Sequence, residues 1–559
     1  MKMLQDLRKH LALPKTSWQL CLLATIGGTA SALLVVLFIL SINQLTVFFT
    51  QLKGEYNTIE WLSRFELPFL GAVFILLFAT LTGYKYLRSG IPLVLHQLKV
   101  RHGVIPFRNT LHQFVGSTIA LASGFSVGRE GPAVHLGAAC SGFIGSKLKL
   151  PHSAIRTLSA CGIAAGISAC FNTPIAAVIF VMEVILREYK VHIFIPVMIA
   201  SIMGSMITST VFGPAHEFEY LQTIELSMSH YPVIVGLGVI LGILAYIFNQ
   251  LLVITIAKAN RYPIYTRFVV AAFITGALSI FLPDGSATAI IPFDLSAENT
   301  LTVKLLTLML TAKIIMTIAA LGLGIPGGVV GPILAIGAIT GVSASVATQH
   351  FLPGTHLHAD YALIGMAGFM AATLNAPLAA LLAVVELSNQ LEIIVPAMIV
   401  IATSCVASGQ FFKNRSIFVM QLEVQGLTYR KPPIEKSLQR IGVLGMLKTN
   451  FTVFDTPNEQ AFIDTKNNAG EEHYLILKKQ HDNTLYQLLD QQLEKDPTGQ
   501  VRHHPLVPIS SQATLAEAYR TLIHNRQGGV YVCDDATGDI MGVVPFQSIR
   551  RYLLEGKTR

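Results

Sequence analysis

The chain has 559 residues, of which 52% are hydrophobic and only 13% charged, and its mean hydropathy is +0.56. A water-soluble protein carries about a quarter charged residues, so this composition excludes a soluble globular chain and calls for a bilayer to cover the apolar excess. The formal net charge of +8 fits ordinary topology charge and contact with anionic lipid head groups, and no basic-aromatic cluster points to nucleic acid.

Lys2, Arg8, Lys9 and Lys15 make a basic start, expected to form a short amphipathic segment and to stay cytoplasmic. The apolar run 19–42 is too long for a signal-peptide core and lacks a small-residue cleavage site, so it is expected to be the first membrane helix. Further apolar runs follow at 68–87, 191–212, 233–257, 266–282 and 391–411, several reaching the roughly 20 residues a spanning helix needs. Past Lys413 and Arg415 no run can span a bilayer, and residues 421–559 are expected to be a soluble domain. Its second half has the pattern strand, helix, strand, strand, helix. Val507-Pro508-Ile509 leads in, Ala513–His524 is an amphipathic helix, Gly529–Cys533 and Ile540–Val544 are strands around the turn 534–538, and Gln547–Leu554 closes. The six cysteines (Cys21, Cys140, Cys161, Cys170, Cys405 and Cys533) have no metal-ligand spacing and are expected to be free thiols.

The membrane part repeats. The stretch from Asn172-Thr-Pro to Glu183-Val184 matches that from Asn375-Ala-Pro to Glu386-Leu387. Upstream, Gly128-Arg-Glu-Gly-Pro matches Gly328-Val-Val-Gly-Pro, in the same order and at the same offset of about 200 residues. Two homologous halves, about 20–215 and 230–420, are therefore expected. Transporters are commonly built this way, with the binding site between repeats on interrupted helices.

Three turns share one design: Ser89-Gly90-Ile91-Pro92, Gly128-Arg129-Glu130-Gly131-Pro132, and Gly324 through Gly328, Val329 and Val330 to Pro332. Each sets glycines before a proline suited to the first turn of a helix. Glycine lets backbone approach a ligand closely, and the free N–H groups of a helix start hold about half a positive charge, which favours an anion. A bare chloride in hydrocarbon would cost tens of kcal/mol, and several partial charges suit an ion that must bind and leave again. Gly-Pro pairs can also merely punctuate membrane helices, but three of one design, two of them related by the repeat, point to an anion path.

Glu130 stands where the second repeat has Val330, so folding does not require a carboxylate there. Carboxylates inside a membrane are rare and usually functional. Ionised, Glu130 competes with an anion for the same N–H groups; protonated, it does not. It is the candidate gate, sensitive to pH and chloride, the alternative being a salt bridge to Arg129.

These three turns, in this order and spacing, resemble the signature motifs of the CLC family of chloride channels and chloride/proton exchangers over about residues 20–420. The resemblance implies an all-α polytopic membrane domain (1–420) of two inverted repeats, in a homodimer with a separate pore in each subunit, in the cell (inner) membrane with both termini cytoplasmic. It implies that Ser89 gives a hydroxyl to the central chloride, Val329 and Val330 give backbone N–H groups, and Glu130 gates. Gly90, Ile91, Arg129, Gly131, Gly328 and Phe418 complete the candidate anion site. The tail resembles a pair of cytoplasmic α/β CBS domains, the first copy degenerate and the second at about 504–554. Its usual nucleotide-holding Thr and Asp correspond to Pro545 and Ser548, which argues against a nucleotide, and no cofactor is expected.

The departures bear on mechanism. The inner proton-relay glutamate of family exchangers corresponds to Val184, and the tyrosine that closes the chloride site from inside corresponds to Phe418. Arg88 replaces a usual glycine and Val330 a usual phenylalanine. These favour a chloride channel, the alternative being chloride/proton exchange with Glu183 or water as relay. Glu183 has its own alternative, a helix-end residue facing Arg187. An enzyme is not expected: His216-Glu217 lacks a second histidine at metal spacing, and no Ser/His/Asp set lies in the apolar segments.

Overall fold

The computed structural model describes residues 2–13, 17–55, 60–83, 90–214, 218, 226, 228–282, 302–349, 357–427, 433–456, 458–469, 473–480, 484–489, 501–523, 527–533 and 540–555. In chain order the helices up to residue 424 are α1 (Lys2–Leu11), α2 (Trp18–Glu55), α3 (Glu60–Thr82), α4 (Gly90–Val100), α5 (Phe107–Ala122), α6 (Glu130–Lys147) and α7 (His152–Phe171). Then come α8 (Pro174–Phe180, continued by a π-helical turn, Val181–Leu186), α9 (Val191–Phe212), α10 (Tyr231–Ala259), α11 (Ile264–Ser279) and α12 (Val303–Leu323). The series ends with α13 (Val330–Thr348), α14 (His358–Leu374), α15 (Pro377–Ser388), α16 (Ile394–Val406, continued by a π-helical turn, Ala407–Phe411) and α17 (Ile417–Val424).

Among the described residues eight helical segments are long and apolar enough to cross a bilayer. The expected runs 19–42, 191–212, 233–257 and 391–411 fall on α2, α9, α10 and α16 with its continuation. The run 68–87 belongs to α3 up to Thr82, and its last four positions lie outside the described residues. Large apolar side chains such as Leu22, Val73, Met206 and Ile240 stand exposed along these helices, as a lipid solvent requires.

The same conformations occur twice along the chain. Left-handed residues punctuate both halves at matching places: Gly124 (φ 85°) and Gly324 (φ 101°), Asn172 (φ 56°) and Asn375 (φ 53°), Arg187 (φ 56°) and Asn389 (φ 55°). Helix packing recurs too. A Cβ on Gly137 would lie 2.1 Å from the Gly162 carbonyl oxygen, and one on Gly337 would lie 2.5 Å from that of Gly365. Small residues thus bring α6 against α7 and α13 against α14 at backbone contact, a common device where helices meet without water.

The chain divides into two compact units, one of Cys21–Ile144 with Thr157–Tyr429, the other of Met1–Leu20, Gly145–Arg156 and Arg430–Arg559. The second unit holds α18 (Pro433–Leu438), β1 (Phe451–Phe454), α19 (Glu459–Ala469), β2 (Tyr474–Gln480) and β3 (Thr484–Leu489). It continues with β4 (His503–Pro508), α20 (Leu515–Leu522), β5 (Gly529–Cys533), β6 (Ile540–Pro545) and α21 (Phe546–Glu555). The strands form one sheet in sequence order. A parallel pair followed by an antiparallel one occurs twice, as β1–β2–β3 and as β4–β5–β6. The expected strands 529–533 and 540–544 match; the turn 534–538 lies outside the described residues. The helix expected from Ala513 starts later, because Thr514 is its N-cap, in a capping box with Glu517.

The amphipathic start is α1, and it belongs with the tail. Ala12, just past α1, is fully buried in one apolar core with Leu438, Ile441, Leu515 and Val530, and its carbonyl accepts from Gly442 N at 2.8 Å. The turn between α6 and α7 joins the same unit: Arg8 Nη2 donates to Leu148 O at 3.2 Å, and His152 N donates to Gln512 O at 2.8 Å.

Candidate functional site

The three glycine-rich turns meet at Gly327 and Gly328. Gly128 and Gly328 pair as an antiparallel bridge, with Gly128 N donating to Gly328 O at 2.8 Å and Gly328 N to Gly128 O at 2.7 Å. A Cβ added to Gly131 would stand 2.7 Å from Gly328 Cα, so only glycine permits this approach. Gly90 lies against Gly327, whose carbonyl oxygen would be 3.5 Å from an added Cβ. Arg88 and Ser89 lie outside the described residues. One expectation changes: the Gly90 N–H donates to Gln113 Oε1 at 3.1 Å, so it is engaged within the protein and not offered to an anion.

Two cavities flank the paired turns. A cavity of about 80 Å³ is lined by Gly90, Ile91, Gly131, Gly328, Val329 and Phe418, among others. A second, of about 40 Å³, is lined by Glu130, Phe171, Thr173 and Val330 with further apolar residues. The neighbours Glu130 and Gly131 thus face different cavities, as do Val329 and Val330, and the turns are the wall between them. Four helix starts surround it, at Gly90, Glu130, Val330 and Ile417.

Glu130 is the first residue of α6 and is 4% exposed. Its carboxylate rests on three glycines of the joined turns. Added Cβ atoms would lie 2.0 Å from its Oε2 at Gly128, 2.9 Å from Oε2 at Gly328 and 2.8 Å from Oε1 at Gly331. A carboxyl group therefore fills the space beside the starts of α6 and α13, where the partial positive charge of a helix start favours an anionic group. Arg129 extends over the Phe171 ring, its Cζ 4.9 Å from the centroid, along the wall of the Glu130 cavity. Phe418, the second residue of α17, is buried and gives the larger cavity a ring edge without a hydroxyl.

Glu183 and Val184 are not at this wall. Val184 is buried in the apolar core. The Glu183 carboxylate accepts from Leu378 N at 3.3 Å and Ala379 N at 2.7 Å, at the start of α15. Glu386 does the same for α8, accepting from Ile175 N at 2.9 Å and Ala176 N at 2.7 Å. The expectation that Glu183 faces Arg187 is thereby corrected: helix-start N–H groups some 195 residues along the chain claim its carboxylate, each bond being charge-assisted. The residues were visible in sequence; their exchange between halves follows only once the repeats are set side by side. Replacing either glutamate by alanine is expected to cost on the order of 1–2 kcal/mol. Thermal unfolding in detergent reads this, and an unchanged midpoint for both variants contradicts the capping role.

Interrupted helices with recurring packing and backbone conformations, joined at a glycine wall that carries a buried carboxyl group, are features of a membrane transport protein. The chain belongs to the voltage-gated chloride channel (CLC) family, whose family model matches residues 70–409, and its role is chloride transport. It is 30% identical over 411 residues to a ClcB-like chloride channel protein of Ralstonia nicotianae, covering 69% of this chain and 92% of that one. It is 27% identical over 431 residues to the H(+)/Cl(-) exchange transporter ClcA of Vibrio campbellii, covering 72% and 89%. The fold is that of a slow cyanobacterial Cl-/H+ antiporter (TM-score 0.63, 23% identity, 73% and 98% covered). It is also that of a eukaryotic CLC transporter (TM-score 0.62, 17% identity), and there the likeness spans 94% of this chain and 97% of the other, reaching into the tail.

Proposed function

We propose that the protein is a passive chloride channel in which Glu130 is the gate. One observation carries this reading: the Glu130 carboxylate fills the space between two helix starts, on the wall between two cavities. An ionised carboxylate there excludes chloride by competing for the same N–H groups, and protonation frees them. Val329, Val330 and the Ser89 hydroxyl are the further ligands proposed for the ion, with Gly90 contributing through close backbone approach.

The absence of a carboxylate at Val184, the engagement of Glu183 at the start of α15, and the missing hydroxyl at Phe418 support a channel over an exchanger. The second reading is proton-coupled exchange with water or Glu183 as relay, favoured by the relatives named as H(+)/Cl(-) exchange transporters. Recording chloride and proton movement together from reconstituted liposomes separates the two.

The reading includes two inverted repeats, a homodimer with one pore per subunit, and a location in the cell membrane. The grouping of α1 with the tail supports both termini lying on one side of the membrane, and the basic start supports the cytoplasmic side. The twice-repeated strand pattern supports a CBS-like pair for the tail. Its role is then regulation or dimer stabilisation, without nucleotide.

A further inference from the structure

Arg267 sits in the first turn of α11 and lines the larger cavity together with Asn260, Gln421 and Gln425. It is 7% exposed, and its Nε is buried with no hydrogen-bond partner among the described residues. Among the described residues no carboxylate lines this cavity and none pairs with Arg267. A guanidinium cannot shed its charge, and burying it without a counter-charge is costly. A helix start also does nothing for a cation, since its dipole is positive there. The other polar walls are carboxamides, whose N–H groups donate to an anion while adding no charge.

We propose that Arg267 is an anion-collecting residue of this cavity, drawing chloride and similar small monovalent anions to the face that the glycine turns line. The proposal rests on the chloride-transport reading and adds to it a residue outside the three motifs. A bound anion supplies the counter-charge the guanidinium lacks, and the carboxamides of Asn260, Gln421 and Gln425 complete its shell. The single fixed charge raises local chloride without holding it as a closed cage of cations would.

The test uses the full chain in liposomes, with chloride flux measured against chloride concentration. Arg267→Gln is expected to raise the half-saturating concentration about tenfold while flux at high chloride is retained, and Arg267→Lys to stay within about twofold of the native value. Gln425→Glu, which sets a negative charge in the same cavity and keeps Arg267, is expected to reproduce the rise and covers the case in which Arg267→Gln does not fold. Native concentration dependence in the folded variants overturns the proposal. Chloride-dependent thermal stabilisation in detergent keeps it apart from the transport reading. If the native protein carries no chloride, that reading falls, yet stabilisation by chloride that is lost in Gln425→Glu still supports the site, and equal stabilisation of both removes it.

Discussion

Glu130→Ala raises chloride flux at neutral pH by about tenfold or more, taking the worth of a carboxylate at a helix start in a favourable buried setting as the barrier removed. In the native protein the carboxylate rests on Gly128, Gly328 and Gly331, the place that the proposed gating assigns to an anion. The sign of the pH response follows. Ionised Glu130 closes the path and protonated Glu130 opens it, so native flux increases as pH falls. Glu130→Ala removes that dependence, and Glu130→Gln, an uncharged isostere, is expected to be pH-insensitive and at least as active as the native protein in acid. Flux from liposomes of set internal and external pH measures all three. A pH response that persists in both variants assigns the gate to another group.

Gly131→Ala acts on the path itself and is expected to abolish flux even when combined with Glu130→Ala. The added Cβ meets Gly328 Cα at 2.7 Å and Gly327 O at 3.0 Å, both backbone atoms that cannot rotate away. Relief requires parting the two turns, which strains or breaks the reciprocal Gly128–Gly328 hydrogen bonds that join them. Overpacking of this kind costs about 1–3 kcal/mol when the surroundings can yield. Size-exclusion profiles show whether the double variant folds; a folded double variant with the flux of Glu130→Ala alone contradicts the account of the paired turns.

Much of this was legible in the residues. The long lipid-facing helices declared themselves by apolar length, as α2, α9 and α10 do, because nothing but hydrocarbon can cover them. The candidate site was legible because glycine, proline and one misplaced carboxylate have few structural explanations in an apolar run. What sequence order hides is partnership over distance. Nothing local tells that the Gly90 N–H is taken by Gln113, or that Glu183 and Glu386 each serve the helix that the other one ends. Arg267 was silent for a similar reason: a basic residue near a helix end usually marks a water interface, and only the cavity around it gives it another meaning. Likewise the amphipathic start did not say what it packs against, and Ala12, just past α1, is buried in the apolar core of the tail. Amphipathicity records that a face is buried and not what buries it.

The central claim is a chloride channel with a single gating carboxylate, and simultaneous recording of chloride and proton flux from reconstituted liposomes tests it most directly. The account predicts that an outward chloride gradient drives chloride efflux with no uphill proton movement, and that Glu130→Ala raises the efflux and leaves proton flux at background. Uphill proton transport driven by the chloride gradient, lost in Glu130→Ala, would contradict it and make the protein an exchanger.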